Sequence, residues 1–376
     1  MTQTILIVGA GTTGTTAAIL LARRGYKPVL IERSAKTNRK QHAPDWICRR
    51  GVELLGELGI DCAAKLGDAY DGLTFHSSDL TKTAQSAATT PPAWRIDYPQ
   101  FTAHLHQLAR EAGIEIVHSS PARRIELREE QVCVELEEGD PLEGSFLLLA
   151  DGAGRTLCSP GGHPAVLSSV SPKTPGRWFA TLELPAPSRG RDPRDGHLHW
   201  LLGLDRQQAC CLWWWEGSTV IVSLFAAGTG DSVNKLLCAT ANKLVGAGLI
   251  ASKDAIDPAA VMLRPAPARS ALEIDSHVNK RCLVIGDAGG FIGEISGQGI
   301  FAGVWSARIA VDAVIAAASS VHPQDQLRDF STTWRSDMAD YLRPPNTDMH
   351  FLLPLIFSNR QMADRMAAAF WEGQNI

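Results

Sequence analysis

The first apolar run, TILIV at 4–8, lasts five residues before glycines interrupt it, and TTAAILLARRG and PVLIER follow. A short run, a segment apolar at helical spacing and a second short run predict a strand–helix–strand unit over 4–33. Polar residues occupy 34–46, after which Val52, Leu54, Leu55 and Leu58 predict a helix that stops at Gly59. FTAHLHQLAREA at 101–112 predicts an amphipathic helix leading through Gly113 into a strand at 114–117. Segments 124–127 and 132–136 predict strands, and FLLLA at 146–150 predicts a buried strand that ends at an Asp151-Gly152 turn.

Residues 159–195 are rich in Pro, Gly and Ser, and beyond them 197–202, 209–215 and 219–225 predict strands of an antiparallel sheet. A strand at 282–285, a glycine-rich turn and a helix at 300–318 return the chain to its first domain. The fold expected is α/β: a Rossmann-type nucleotide-binding domain, a second, largely antiparallel-sheet substrate domain and a helical C-terminus. The boundaries expected are 1–75, 101–160 and 275–320 for the first domain, 76–100 and 161–274 for the second, and 321–376 for the C-terminal helical segment. The apolar cluster FLLPLIF at 351–357 is too short to span a bilayer, which needs about 20 residues, so burial is expected and no integral membrane segment.

Composition narrows the function classes. A net charge of −4 without long Lys or Arg runs disfavours nucleic-acid partners. The eight cysteines form no CxxC pair or metal-type cluster, so no metal site is expected and the thiols read as reduced and mostly buried. No basic segment precedes the first apolar run, and a cytoplasmic location is expected.

Gly9, Gly11 and Gly14 form GxGxxG between strand and helix, with Glu32 at the end of the next strand. In such a unit the first glycine allows the tight turn, the second lets backbone approach a pyrophosphate, and the third lets the helix pack closely. The helix N-terminus favours the phosphate charge, and the acid accepts hydrogen bonds from a ribose. Arg33, with Lys36, Arg39 and Lys40, is expected at adenosine phosphates or solvent, as are Arg49 and Arg50.

Residues 282–301 read CLVIGDAGGFIGEISGQGIF, and here the chain resembles the FAD-dependent superfamily of aromatic hydroxylases, geranylgeranyl reductases and flavin-dependent halogenases. The resemblance implies FAD, with Asp287 on the ribityl chain and the Gly297-Gln298-Gly299 turn at the flavin pyrimidine ring. Asp151-Gly152, with Arg155 nearby, matches the family's middle motif. GFIGEISGQGI looks closest to the reductase branch, although Glu294 stands where that branch has proline. The halogenase tryptophan motif is replaced by Gly196-His197-Leu198-His199-Trp200, and Asp71 stands where its lysine would fall, so halogenation is disfavoured.

Glu294 is the candidate base or substrate contact, because it would sit near the flavin. His199, which shares a strand face with His197, is a candidate proton relay. Of Trp213, Trp214 and Trp215, alternate rings share a face, and Trp215 is the one assigned to a substrate cavity. The activity expected is a monooxygenase acting through a flavin C4a-hydroperoxide on an aromatic or electron-rich substrate. Two alternatives are a double-bond reductase and a flavoprotein that modifies a residue of a partner protein, such as one maturing a tryptophan-derived quinone. No second GxGxxG is present, so electrons are expected from transiently bound NAD(P)H, a partner reductase or the substrate.

Overall fold

The computed structural model describes residues 3–35, 45–153, 176–185, 196–204, 209–250, 256–343 and 349–373. Lys36, Arg39, Lys40, Arg155 and Cys158 lie outside the described residues.

Six strands form the first sheet, in the order β17 (Val278–Asn279), β18 (Cys282–Val284), β11 (Phe146–Leu149), β1 (Thr4–Val8), β2 (Lys27–Ile31) and β7 (Glu115–Val117). All neighbours are parallel except the β17–β18 edge pair. Both faces are covered, which is why β1, β2 and β11 read as unbroken apolar runs rather than alternating ones. Helices α1 (Thr12–Arg23) and α3 (Tyr98–Glu111) lie on one face. The other face is covered by a small antiparallel sheet of β8 (Ala122–Leu127), β9 (Val132–Leu136) and β10 (Leu142–Gly144).

The second sheet has seven strands: β16 (Met262–Ala266), β12 (Arg177–Pro185), β15 (Thr219–Ala227), β14 (Cys210–Glu216), β13 (His197–Leu202), β4 (Gly72–Ser77) and β5 (Thr83–Ala87). It is antiparallel throughout except for the β13–β4 pair. One face buries α4 (Gly230–Gly246), whose start is fixed by a reciprocal Thr229–Ser232 capping box. The opposite face turns toward the nucleotide-binding domain. Because β4 pairs with β13, the chain enters the second domain before the expected boundary at residue 75. Conversely β6 (Ala93–Ile96), expected in the second domain, pairs with β3 (Asp45–Cys48).

Helix α2 (Arg49–Glu57) follows β3, and α5 (Ile300–Ala318) packs against α1, α2 and α6 (Pro323–Leu342). Helix α5 is long and apolar enough to cross a membrane by length and composition, and 72% of its most apolar window is buried inside the protein. Helices α7 (Met349–Ser358) and α8 (Arg360–Glu372) lie along β4 and β5. Burial of FLLPLIF is only half realised: Leu352 and Ile356 face the core, whereas Phe351 is 76% and Leu355 45% exposed.

Arg49 and Arg50 do not face a nucleotide. Arg49 pairs with Glu372 at 2.7 Å, and Arg50 donates to the Glu372 carbonyl at 2.6 Å while stacking on Phe301 and near Trp305 and Tyr341. Together they fasten the end of α8 to the start of α2.

Candidate FAD and substrate site

The glycine turn is built as its spacing requires. Gly9 has φ +100°, and a Cβ there would lie 2.2 Å from the Ala150 carbonyl oxygen. A Cβ on Gly14 would lie 2.0 Å from the Gly9 oxygen, so α1 sits hard against the turn. Gly11 differs: the nearest atom to a Cβ there is the Tyr98 hydroxyl at 3.9 Å, and the position opens into a cavity. No side chain caps α1, leaving its N-terminal N–H groups for an anion.

Glu32 leaves β2 and braces this turn, accepting from the Ala10 N–H at 3.0 Å and from the Ser34 N–H at 3.0 Å. A carboxylate has about four lone-pair sites, so acceptor capacity remains for a ribose. His106 of α3 donates from Nε2 to the Ala10 carbonyl at 2.6 Å, and burial pushes its pKa below the ordinary histidine value, so it acts as a neutral strut. Arg33 follows Glu32 on the surface, exposed.

The Gly-Asp segment reaches the same cavity from the other side. Thr13 of α1 lies where Cβ atoms on Gly286 and Gly303 would fall, at 2.7 and 2.4 Å, so α1 and α5 can cross closely only over glycines. That crossing brings Asp287 to the cavity wall with Gly11, Gly152, Gly297 and Gly299. Asp287 caps neither neighbouring helix: Ile285 and Gly299 hold those positions. Its carboxylate rests against Gly299, where a Cβ would approach Oδ1 to 2.8 Å. Among the described residues no protein group donates a hydrogen bond to it, and burial raises its pKa, opposed by the nearby charge of Arg264.

The turn at α5 divides its labour. The side chain of Gln298 is spent within the protein, donating to the Trp46 carbonyl at 2.9 Å and accepting from the Phe301 N–H at 3.3 Å. Only the backbone is left to a ligand. Gly297 has φ +69°, and a Cβ there would meet the Phe179 ring at 2.8 Å and Phe225 at 3.2 Å. A larger residue at 297 therefore collides first with the second sheet. Ala150 and Gly152 close the far wall, Gly152 with φ +79°, while Asp151 between them is not part of the lining.

A second cavity continues from the first, sharing Asp45, Phe179, Arg264, Gly297 and Gln298. Its floor is one face of the seven-stranded sheet, with Trp214, Phe225, Leu212, Thr181 and Ser223. The assignment of Trp215 is corrected here: Trp213 and Trp215 point to the α4 face, and Trp214 is the ring at the cavity. His199 is corrected for the same reason. It packs on Trp213 and Trp215 and shares a 2.9 Å hydrogen bond with His76, on the α4 face.

Glu294 is near the flavin loop but is engaged. Both oxygens accept from Arg177 Nη1 at 2.8 Å, with the side chains 13% (Arg177) and 19% (Glu294) exposed. The pair ties β12 to the Gly-Asp segment and takes Glu294 out of use as a base. Replacing Glu294 with Ala leaves Arg177 buried without its partner and is expected to cost about 3 kcal/mol. The check is thermal unfolding: a normal Tm with lost turnover would restore Glu294 as a base.

Asp45, Tyr98, Thr12, Thr13, Phe179 and Arg264 also line these cavities and carried no motif in the sequence. The unfilled space beside Gly11, two converging helix N-termini and the undonated Asp287 carboxylate fit a dinucleotide that runs from Glu32 to the Gly297 turn. FAD fits that requirement, and Gly11 would then face the pyrophosphate and Asp287 the ribityl chain.

Comparison with known proteins agrees. Residues 1–173 match the FAD binding domain family. Protein FixC of Salmonella typhi is 25% identical over 158 residues, covering 40% of this chain and 37% of FixC. The chain thus spans little more than a third of the curated relatives it matches. The geranylgeranyl bacteriochlorophyll reductase-like protein of Thermoplasma acidophilum shares the fold over all of this chain and 93% of its own, with a TM-score of 0.74 and 14% identity. The 2-methyl-3-hydroxypyridine-5-carboxylic acid oxygenase covers 99% of this chain and 96% of its own, with a TM-score of 0.65 and 16% identity. With the three motifs in order around one cavity, these likenesses give the chain an FAD binding domain at residues 1–173 and a fold shared with a geranylgeranyl bacteriochlorophyll reductase-like protein, a flavin-dependent halogenase and a pyridinecarboxylic acid oxygenase.

Proposed function

We propose that the protein is a flavin-dependent monooxygenase that hydroxylates a small aromatic or electron-rich substrate. The observation that carries this reading is the aromatic-floored cavity continuous with the flavin site at the Gly297 turn. Bound FAD supplies two-electron redox chemistry and the activation of oxygen. The chain's own residues do the rest. The uncapped N-terminus of α5 would hold the flavin's pyrimidine edge and stabilise the negative charge that reduction places there. Phe179 and Phe225, stacked with ring centroids 5.0 Å apart, screen the junction of the two cavities from water. Trp214 gives an aromatic substrate a flat surface to lie on. Reducing equivalents come from transiently bound NAD(P)H or a partner reductase.

Reduction of a double bond is the second reading, favoured by the fold likeness to the reductase-like protein. Modification of a partner protein's residue is a third outcome of the same test. The reduced flavoprotein is mixed with ¹⁸O₂ and a panel of phenols, indoles and aromatic acids, and the products are weighed. One ¹⁸O atom per product is the expected result. Saturated products without oxygen uptake, or label found only in a copurifying protein, would overturn the proposal.

A further inference from the structure

The N–H groups left for an anion at α1 begin with that of Gly11, and its direction is set by the peptide unit it belongs to. A trans peptide is planar, so the Ala10 carbonyl and the Gly11 N–H point to opposite sides of one rigid plate. Whatever holds the carbonyl therefore aims the N–H. Ala10 is buried, and its oxygen is held twice, by His106 Nε2 at 2.6 Å and by Thr15 Oγ1 at 3.1 Å. With the Ala10 N–H on Glu32 at 3.0 Å, the residue is pinned on both sides. Among the described residues no group accepts the Gly11 N–H, and Gly11, unlike Ala10, lines the cavity.

Thr15 belongs to α1 and moves with it, whereas His106 ties the plate to a different element. Tyr98, Thr102 and His106 are spaced four residues apart and form one polar stripe on α3, beside the apolar Phe101, Leu105 and Ala109. The stripe follows the glycine turn: the Tyr98 hydroxyl meets Thr12 Oγ1 at 3.3 Å and lines the same cavity. A histidine buried in such company costs free energy unless its ring is hydrogen-bonded, and Ala10 supplies that bond. A carbonyl only accepts, so Nε2 carries a proton whichever state the ring is in. Burial lowers the imidazole pKa, as do the neighbouring His118 and Arg110, against the bond to Ala10 and the charge of Glu32. The neutral ring orients the peptide rather than drawing phosphate by charge.

We infer that His106 is a positioning residue for the cofactor: from α3 it fixes the Ala10–Gly11 peptide so that the Gly11 N–H meets the FAD pyrophosphate. This role rests on FAD at the glycine turn, and it is the same whether the flavin serves a monooxygenase or a reductase.

The test uses the FAD-free protein and three variants. His106→Gln places a side-chain N–H where the imidazole Nε2 stood, His106→Leu removes the donor, and Leu105→Ala opens the core one residue away. FAD affinity by calorimetry, Tm of the apoprotein and the ³¹P resonances of bound FAD are measured for each. His106→Leu is expected to weaken FAD about tenfold, the size of one lost hydrogen bond, and to shift the pyrophosphate resonances. His106→Gln should recover most of that affinity. Leu105→Ala should lower Tm at least as far while FAD affinity and the ³¹P positions stay as they were. Unchanged affinity in His106→Leu would overturn the inference, as would an equal loss in Leu105→Ala, which would make His106 a packing residue. If His106→Leu does not fold, His106→Asn takes its place: its amide is too short to reach the carbonyl, so normal FAD affinity there has the same consequence. An unaltered protein that binds no FAD would remove the cofactor from the glycine turn first, and this role with it.

Discussion

Gly11→Val yields a folded protein that no longer binds FAD, the largest ligand effect expected of any single substitution in the chain. Gly11 has φ −72° and ψ −173°, extended backbone that a β-branched residue adopts without strain. A Cβ there meets nothing closer than the Tyr98 hydroxyl at 3.9 Å. The protein itself thus has no need of glycine at this position, and the need comes from the pyrophosphate that must approach the N-terminus of α1. The neighbouring glycines give the control. Gly9→Val and Gly14→Val drive a Cβ to 2.2 Å and 2.0 Å from backbone oxygens, so both should unfold the turn and lower Tm sharply. Differential scanning calorimetry of the apoproteins, with FAD titration, separates the cases. The expected Gly11→Val result is a Tm close to that of the unaltered apoprotein and an affinity weaker by more than about a hundredfold, or roughly 2.7 kcal/mol. Stoichiometric FAD in that variant would remove the pyrophosphate from Gly11.

The first domain was legible because local pattern and tertiary role coincide there. A buried parallel strand is apolar at every position, and β1, β2 and β11 show that run next to glycines whose purpose is mechanical. The helix at 300–318 has the bounds its apolar stretch predicts. Helix α4 was not read at all: its capping box places Ser232, rather than Glu or Gln, at the third position, and the start signals it does carry, Thr229 at the N-cap and Asp231 in the first turn, went unused.

The second cavity was only half legible, since a strand's period of two divides residues into faces without saying which face is which. Trp213, Trp214 and Trp215 divide as expected, but α4 claims the odd-numbered pair, and α4 itself had gone unread. The choice of Trp215 and His199 followed from that one missing helix. Glu294 failed differently. Its place in the flavin motif suggested chemistry, while its partner Arg177 lies on a strand of the other domain and no sequence spacing links them. Arg264 has the same character: it borders the cavity only because β16 pairs with β12 at Phe179.

Asp287→Asn should raise the stability of the FAD-free protein and at the same time weaken FAD. Without cofactor, the Asp287 carboxyl lies against Gly299 with no donor from the described residues, and burial lifts its pKa above the ordinary carboxylate value. A group whose folded pKa is raised binds more protons in the folded than in the unfolded state between the two values. Stability therefore falls as pH rises through that window, and the carboxylate is a net cost at neutral pH. Asparagine removes the charge and that cost, so Tm of the apoprotein should increase and its decline with rising pH should flatten. With FAD bound the sign reverses, because the ribityl hydroxyls then lose a charged acceptor worth roughly 1.5 to 3 kcal/mol, or about tenfold to a hundredfold in affinity. Asp287→Ala should weaken FAD at least as much, with no added loss from an uncapped helix, since Ile285 and Gly299 occupy the cap positions. A purely structural aspartate would move both quantities the same way. A lower apoprotein Tm in Asp287→Asn, or FAD affinity unchanged in both variants, would leave the Gly-Asp segment as a packing device and the ribityl contact without its residue.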